Sequence, residues 1–387
     1  MVVVVIDTAR HTLFREGSFP LLSARAAAAE TVENMTGTAG WTGPAVTSMM
    51  TGFRVEERQA RGGVEALSDA EVETLAETLQ GHGWHTYLNS ANLVLTTSLN
   101  QGFDEQVFSD KTAETTAARL SAVHALLEAH DEPVFAWVQL MELHIPFGPM
   151  ADSCEAEVTA AAALCPVELY DIGDAVNYGH IDFEALAAEE QLACGEAIHS
   201  GQSCAATRLD VELDAFLSAL PPATLVLVTT DHGEGWLDPS ADHNWTLNQK
   251  ISSSFLALFD AAHEPTSYAL ASQVDLPPTV LSRLGLQGPT EQYEGVALGE
   301  ARTTPLTAWR CDTNTGAVES ALWEGDYQAL RLDRRRGHTG YSLYHTAEDP
   351  DGDVDLAETG EIPPDMLITL DETFDRTQAL CAEGSGW

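Results

Sequence analysis

The stretch Val2-Val3-Val4-Val5-Ile6-Asp7 places a carboxylate directly after five β-branched residues. A continuous β-branched run is typical of a central parallel strand that is buried on both faces of its sheet. Residues 134–141 and 224–230 form two further apolar runs of strand length. Helical patterns separate these runs, and the alternation predicts an α/β fold with a mostly parallel central sheet and helices on both faces.

Each of the three runs is followed by side chains that can bind a metal ion or transfer a proton. Asp7 follows the first run, and Glu142 and His144 follow the second. Asp231 and His232 follow the third. Open α/β sheets bind ligands at the carboxyl ends of their strands, so we expect these side chains to converge on one edge. Two carboxylates and an imidazole suit a divalent ion such as zinc, manganese or calcium.

Thr42 stands where a helical pattern begins. Pro44 suits the first turn of a helix and Gly52 suits its end, so we predict a helix over this segment. The free N–H groups and the dipole of a helix start favour an anion. A threonine hydroxyl is a poor nucleophile at neutral pH, but coordination to a divalent cation lowers its pKa. Thr42 is therefore a candidate nucleophile, and His144 and His243 are candidates to protonate the leaving group.

Each of these features also has an ordinary structural explanation. An aspartate after a strand is commonly a cap or turn residue, and Thr42 could simply cap its helix. Asp231-His232-Gly233 could be a plain strand-to-loop turn. The functional interpretation is favoured because all the features occur in one chain, each at the end of a strand or the start of a helix.

The charge of the chain limits its partners. The sequence has 387 residues, with 60 acidic against 18 basic side chains and a formal net charge of −42. Such a surface repels nucleic acid and anionic membranes, so neither is an expected partner. No apolar stretch is long enough to cross a bilayer, and the start of the chain does not have the pattern of a signal peptide. An anionic substrate would need a local positive field, which a bound metal ion supplies.

The cysteine pattern points to disulfides. None of the cysteines forms a CxxC pair, so a zinc ribbon is not indicated. An even count suits disulfides, and we expect the pairs 154–165, 194–204 and 311–381. These bonds predict an oxidising compartment, periplasmic or extracellular. The alternative is six reduced thiols, which leaves a cytoplasmic location open. The six are Cys154, Cys165, Cys194, Cys204, Cys311 and Cys381.

The pattern along the chain predicts a large first domain, residues 1–300, and a small C-terminal α+β subdomain, residues 301–387. Residues 151–205 have the composition of an insertion in the first domain, with two helical stretches. A capping box of Ser68 and Glu71 marks one helix start. Other expected helices are 24–30, 68–80, 113–130, 208–220, 274–284 and 366–380, and other strands are 84–88, 253–259, 329–332 and 341–344.

Eight segments, in order from the first residue to about residue 358, together resemble the sulfatase and alkaline-phosphatase superfamily. VVVVIDTAR resembles the opening strand with its metal-binding aspartate, and WTGPAVTSMMTG resembles the segment that begins with the nucleophile. VLVTTDHGE resembles the metal-binding segment that contains Asp-His-Gly. The others are GWHTYLNSANL with NQGFDE, MELHIPFGP, ADHNWTLNQ, VDLPPTVLSRLGL and YSLYHTAEDPDGDVDLAE.

The resemblance implies an alkaline-phosphatase-like fold and a role for each matched residue. Asp7, Asp231 and His232 would be metal ligands, and Thr42 would be both nucleophile and metal ligand. His144 and His243 would contact the substrate or act as acid and base. One divalent ion is expected, and in two-metal members a residue equivalent to His243 holds a second.

Three departures from the family pattern bear on the reaction. Sulfatases have Cys or Ser at the position of Thr42, because that side chain is oxidised to formylglycine, and threonine cannot give that aldehyde. Val46 replaces an expected arginine, and Thr8 replaces a second aspartate. A threonine nucleophile resembles the branches that cleave or transfer phosphoesters.

The sequence therefore predicts a metal-dependent hydrolase or transferase that acts on phosphate or sulfate esters, without formylglycine, through a covalent Thr42 intermediate. The expected substrate is a small-molecule or cell-envelope ester. The alternative is a catalytically inactive relative that serves as a binding or structural protein. Asp210 and Asp214 could assist the site, but their spacing of one helical turn favours a solvated helix face.

Overall fold

The computed structural model of this protein falls into two compact units. The first comprises Met1–Val32, Glu73–His243 and Ser254–Ser267, and the second comprises Glu33–Val72, Asn244–Ser253 and Tyr268–Trp387. The predicted domain boundary at residue 300 stays a prediction. The structure describes residues 1–54, 72–96, 99–109, 114–145, 154–165, 167–172, 175–181, 186–236, 246–311, 317–334, 338–358, 360 and 362–383.

The elements are numbered here in chain order. The strands are β1 (Val2–Ile6), β2 (Glu30–Thr36), β3 (His85–Ser90), β4 (Glu105–Phe108), β5 (Val134–Leu140), β6 (Val167–Ile172), β7 (Ala175–Ile181), β8 (Val226–Thr230), β9 (Ser253–Ser254), β10 (Leu256–Phe259), β11 (Thr266–Ser272), β12 (Leu306–Cys311), β13 (Val318–Glu324), β14 (Tyr327–Arg334) and β15 (His338–His345). The helices are α1 (His11–Arg15), α2 (Pro20–Ala26), α3 (Thr42–Thr51), α4 (Leu75–Gly81), α5 (Thr116–Ala129), α6 (Glu155–Leu164), α7 (Ala188–Ala219), α8 (Gln249–Ser252), α9 (Leu276–Leu284) and α10 (Pro364–Glu383).

The first unit is built on a mostly parallel sheet, as the sequence predicts. Its strand order is β2-β10-β8-β1-β5-β3-β4, in which β10 is antiparallel to its neighbours and β8, β1, β5, β3 and β4 are parallel to one another. Strand β2 continues into the second unit, where β11 pairs with it. The connections of the parallel strands are long enough to contain helices, which is what parallel pairing requires.

The central position of β1 explains its run of β-branched residues. All five of its side chains are buried, and the strand pairs with β5 on one side and with β8 on the other. Val2, Val4 and Ile6 pack in one apolar cluster with residues of α5 and α7, while Val3 and Val5 alternate to the opposite face. Burial of each valine contributes about 1.5–3 kcal/mol relative to leaving it in water.

The insertion forms a disulfide-bonded helical pair. It contains α6, the antiparallel hairpin β6–β7, and the first half of α7, which runs on through the predicted helix at 208–220 as one helix of 32 residues. The two predicted helical stretches are present, but the hairpin between them was not expected from the composition. Within the part of the chain that the structure describes, no helix has the length and apolarity that a bilayer crossing needs.

Two of the three expected disulfide pairings are wrong. The structure pairs Cys154 with Cys204 and Cys165 with Cys194, whereas the pair Cys311–Cys381 is confirmed. The expected pairs 154–165 and 194–204 would each join residues at the two ends of about ten residues of helix, roughly 15 Å apart at 1.5 Å per residue. A disulfide needs Cα atoms within about 7 Å, so it can only join α6 to α7. The three bonds indicate an oxidising compartment.

The second unit contains the predicted small α+β element near the C-terminus. Strands β12, β13, β14 and β15 form an antiparallel sheet in sequential order, and α10 packs on it. Leu322, Ala329 and Leu343 of the sheet meet Met366 and Leu370 of the helix in one buried cluster. The fold class expected from the sequence is therefore confirmed.

Two helix predictions need correction. The helix expected at 24–30 lies earlier, at α2, because Pro20 occupies its first turn and Glu30 already begins β2. The capping box predicted at Ser68 lies outside the described residues. The described helix α4 begins later, with a capping box formed by Thr74 and Glu77.

Candidate metal centre

Three buried side chains meet where two neighbouring strands end. Ile6 of β1 is in register with Thr230 of β8, so the residues that follow them, Asp7 and the pair Asp231 and His232, emerge side by side. All three side chains are 0% exposed. His232 Nε2 lies 3.8 Å from Asp7 Oδ1 and 3.6 Å from Asp231 Oδ2. One ligand atom from each lies within 4.8 Å of the others.

Two amide side chains hold the carboxylates in place. Asn92 Nδ2 donates to Asp7 Oδ2 at 2.7 Å. Gln139 Nε2 lies 3.2 Å from the same oxygen and 3.3 Å from Asp231 Oδ2, so it bridges the two carboxylates. Sequence reasoning missed both residues. The sequence could have indicated Gln139, because it is a polar amide within the otherwise apolar strand β5.

Backbone N–H groups complete the support of Asp231. Its Oδ1 accepts from the N–H of Thr8 at 3.1 Å and from the N–H of His232 at 2.9 Å. Oδ2 of the same carboxylate faces His232 Nε2. The carboxylate is thus oriented by fixed donors on one oxygen, with the other directed to the space that the three side chains share.

The ring of His232 is oriented by its second nitrogen. Nδ1 lies 3.0 Å from the carbonyl oxygen of Gly233, which can only accept, so Nδ1 carries the proton. In the neutral ring the lone pair is then on Nε2, which faces Asp7 and Asp231. A histidine that ligates a metal usually has its other ring N–H held in this way.

These residues fit a divalent metal ion. Two buried carboxylates repel each other strongly in a medium of low dielectric constant, and a bound cation removes that cost. Ligands about 2.1 Å from a tetrahedral zinc ion lie about 3.4 Å apart, close to the spacing here. Among the described residues, two other groups could hold a metal ion, and each has an exposed member: Glu132 in the group with His85 and His130, and His263 in the group with Glu30 and Asp260. The group of Asp7, Asp231 and His232 is buried throughout.

Thr8 has a strained backbone beside this centre. Its φ of 54° lies in the left-handed region, which a β-branched residue rarely adopts. Its hydroxyl is buried and has no hydrogen-bond partner among the residues that the structure describes. Strain of this kind is held in place by the surrounding fold and is concentrated at functional sites. Here the unusual φ turns the N–H of Thr8 onto Asp231.

The second unit contains Thr42, the predicted nucleophile. Helix α3 begins at this residue, which is buried, and ends before Gly52, whose φ is 73°. The predicted helix is thus confirmed at both ends. Trp41 precedes the helix and makes no side-chain cap. A Cβ atom on Gly43 would lie 2.7 Å from the Trp41 ring, so only glycine fits under that indole without a shift.

The remaining predicted site residues have different positions. His144 is buried after β5, and its Nδ1 lies 2.8 Å from the carbonyl oxygen of Ile145, which leaves Nε2 for other contacts. His243 lies outside the described residues. Glu142 turns to α5, where its carboxylate accepts from the hydroxyl of Thr116, and burial raises its pKa.

Asp210 and Asp214 do not form a solvated helix face. Asp210 is buried and accepts from the N–H groups of Leu21 and Leu22 at 2.7 and 2.8 Å, so it caps the start of α2. Asp214 pairs with Arg25 of the same helix. Both carboxylates therefore attach α7 to α2.

Comparison with known families gives the context of this centre. The profile of the Sulfatase family matches residues 1–286. The chain belongs to the sulfatase family. A comparison of the sequence with curated proteins finds no match.

Solved structures of similar fold come from several sulfatase-like enzymes. The phosphonate monoester hydrolase of Agrobacterium radiobacter is 17% identical, with a TM-score of 0.66 over 99% of this chain and 95% of that one. The phosphonate monoester hydrolase SpPMH of Silicibacter pomeroyi is 15% identical, with a TM-score of 0.65 over 97% and 93%. BT4656, solved with its substrate D-glucosamine-2-N,6-O-disulfate, is 14% identical, with a TM-score of 0.66 over 98% of both chains. At these identities the likeness shows the fold alone.

Proposed function

We propose that this sulfatase-family protein is a metal-dependent hydrolase or transferase that cleaves phosphate or sulfate esters through a covalent intermediate on Thr42. The observation that carries the proposal is the buried group of Asp7, Asp231 and His232 at the ends of β1 and β8, with one ligand atom from each within 4.8 Å. A family scaffold without a metal would have no reason to keep two carboxylates and an oriented imidazole together in its core.

Thr42 favours phosphoesters over sulfate esters within this proposal. Threonine cannot be oxidised to the aldehyde on which classical sulfatases rely, so its hydroxyl oxygen must attack directly. As the bond from that oxygen to phosphorus forms, the hydroxyl proton leaves to solvent and the bond from phosphorus to the leaving oxygen breaks. The leaving oxygen takes a proton from His144 or His243. Attack by water on phospho-Thr42 then completes hydrolysis, and attack by an alcohol completes transfer.

Separate residues would bind the metal ion and the ester oxygens. Asp7, Asp231 and His232 would hold one zinc, manganese or calcium ion, with Thr42 as a further ligand and His243 as the candidate to hold a second ion. A divalent ion, when bound, lowers the pKa of a hydroxyl and polarises an ester oxygen. The N–H groups at the start of α3 would bind the remaining ester oxygens.

The substrate class follows from charge and compartment. We infer a small-molecule or cell-envelope ester, because the net charge of −42 disfavours nucleic acid. The three disulfides support a periplasmic or extracellular location.

The test pairs metal content with ester hydrolysis. Purified protein is analysed for bound metal and assayed with p-nitrophenyl phosphate, bis-p-nitrophenyl phosphate and p-nitrophenyl sulfate. We expect bound metal, phosphoester cleavage, and loss of cleavage in Thr42→Ala. Thr47→Ala is the matched control, because Thr47 lies in the same helix and its hydroxyl donates to the carbonyl oxygen of Gly43 at 2.7 Å.

Each other outcome has a clear meaning. Cleavage of the sulfate ester alone would favour a sulfatase that works without formylglycine. Activity that survives Thr42→Ala would refute the covalent mechanism. Protein that binds no metal and cleaves none of the three esters would leave the inactive, ligand-binding alternative.

A further inference from the structure

One buried side chain of the helical insertion touches all three loops that leave the central strands. Gln202 lies in α7 and is 0% exposed. Its Nε2 donates to the carbonyl oxygen of Leu143 at 2.9 Å and to that of Thr8 at 3.4 Å. Its Oε1 accepts from the indole N–H of Trp236.

We propose that Gln202 is a positioning residue that sets the geometry of the metal centre by fixing these loops, an inference that rests on the proposed function. Thr8 directly follows Asp7, and Leu143 directly precedes His144. Trp236 lies on the loop that contains Asp231 and His232. The hydrogen bonds of the amide go to the backbone and to the indole beside the candidate ligands, and the amide would act through these groups.

Each of the two N–H groups and the oxygen of the amide takes part in one of the three contacts. A glutamine side chain has two N–H donors and one carbonyl oxygen, and here both donors and the oxygen have a partner. The partners also determine the orientation of the amide, because the two carbonyl oxygens require its nitrogen and the indole N–H requires its oxygen. No other uncharged side chain of the same length offers two donors and an acceptor in one plane. A buried amide with every group bonded fixes one arrangement of its surroundings rather than several.

The indole partner is itself held on both sides. The guanidinium of Arg10 lies 4.3 Å from the centre of the Trp236 ring, and the ring of His199 stacks on it at 4.1 Å. His199 belongs to α7, one turn before Gln202, and its Nε2 lies 2.9 Å from Glu16 Oε2. Loss of the Gln202 amide leaves these two ring contacts in place but removes the hydrogen bond that fixes the indole N–H beside the loop after His232.

A disulfide anchors the same part of α7. Cys204 lies two residues after Gln202 and is bonded to Cys154, with a Cα–Cα distance of 6.0 Å. Cys154 begins the insertion that follows His144 in the chain. The insertion is thus covalently attached next to the residue that bonds the loops, and the position of Gln202 depends on α7 staying in place.

The experiment measures metal affinity instead of turnover. Full-length, oxidised protein is stripped of metal and titrated with Zn²⁺ against a chromophoric chelator, and the Co²⁺ absorption spectrum reports ligand geometry. The site is identified as the one lost in Asp231→Asn. The first variant is Gln202→Met, which keeps the length of the side chain but cannot form the hydrogen bonds. The second is Gln202→Glu, which places a carboxylate oxygen against the two carbonyl oxygens that the amide N–H groups bind in the wild type. Gln191→Met is the matched control, because Gln191 lies in the same helix and its Nε2 bonds to Leu186 at 3.0 Å.

We expect both Gln202 variants to bind Zn²⁺ about 10–100-fold more weakly than the wild type and to change the Co²⁺ spectrum. Gln191→Met should match the wild type in both. Wild-type affinity and spectrum in folded Gln202→Met would overturn the positioning role and leave the proposed function intact. If Gln202→Met does not fold, the Zn²⁺ affinity and the Co²⁺ spectrum of Gln202→Glu provide the same test. A wild-type protein that binds neither ion would overturn this inference and the metal-dependent function together.

A second comparison tests the role of the disulfide. Replacement of Cys154 and Cys204 by serine should weaken Zn²⁺ binding, whereas replacement of Cys311 and Cys381 should leave it within about twofold. Equal affinities in the two serine pairs would show that the attachment of α7 does not act on the metal centre.

Discussion

The disulfide between Cys311 and Cys381 allows a quantitative prediction about the second unit. It joins the end of β12 to α10 across a sequence separation of 70 residues. In the chain-entropy account, a closed loop of that length restricts the unfolded chain by about 4.4 kcal/mol at 25 °C. The double replacement Cys311→Ser and Cys381→Ser should therefore lower the free energy of unfolding of this unit by about 4 kcal/mol, if the native contacts remain.

Hydrogen exchange followed by mass spectrometry can measure the stability of the two units separately, because each peptide reports on its own segment. A loss of this size corresponds to about a thousandfold faster exchange, since each 1.4 kcal/mol is a factor of ten. We expect it in peptides from β13 and β14, which exchange through opening of the unit, and not in peptides from β1 and β5. Acceleration below about tenfold in β13 and β14 would refute the reasoning, because it would mean that the loop is already restricted without the bond. Equal acceleration in β1 would show that the effect of the disulfide is not confined to the second unit.

Three further predictions concern single side chains. Asp231→Asn should remove the stabilisation that bound Zn²⁺ or Mn²⁺ gives the wild type, which is about 2.7 kcal/mol at an ion concentration a hundredfold above the dissociation constant. Thermal unfolding with and without the ion measures this stabilisation, and an equal value in the variant would contradict the prediction. Burial raises the pKa of Glu142 in the folded state, so its contribution to stability is present below the unfolded pKa and lost as pH rises through the folded value. The stability of Glu142→Gln relative to wild type should therefore increase from pH 4 to pH 7 in urea unfolding, and a difference that does not change with pH would contradict this reasoning. Gly43→Ala should destabilise by about 1–3 kcal/mol, because its Cβ would lie 2.7 Å from the Trp41 ring, and a stabilised variant would contradict that contact.

The features that sequence predicted well are those set by neighbouring residues. The run of β-branched residues in β1 predicts a buried strand because both faces of a central strand need apolar side chains. Gly52 predicts the end of α3 because the chain there adopts a φ of 73°. Asp7, Asp231 and His232 were predicted to meet because adjacent parallel strands end at one edge, and the register of β1 with β8 brings them there.

The features that sequence did not predict depend on residues far apart in the chain. Gln139 lies 132 residues from Asp7, and its pattern of donors appears only when β1 and β5 are paired. Gln202 lies 194 residues from Thr8 and looks like any polar residue of a long helix. Two of the three disulfide pairs are wrong because the prediction pairs cysteines that are near in sequence, whereas a helix places them far apart.

The extreme acidity of the chain and the proposed site for anionic esters are compatible because they would act over different distances. Charges on the surface are screened over about 10 Å at an ionic strength of 0.1 M, so a net charge of −42 mainly slows the approach of an anion. Within the site, two unit charges 4 Å apart interact by about 4 kcal/mol at an effective dielectric constant of 20. A divalent ion bound at Asp7, Asp231 and His232 would act at that short range, and the buried carboxylates that hold it are themselves neutralised by it. In the proposed function the acidic surface would therefore affect the rate of encounter, whereas the buried centre would determine which ligand is bound.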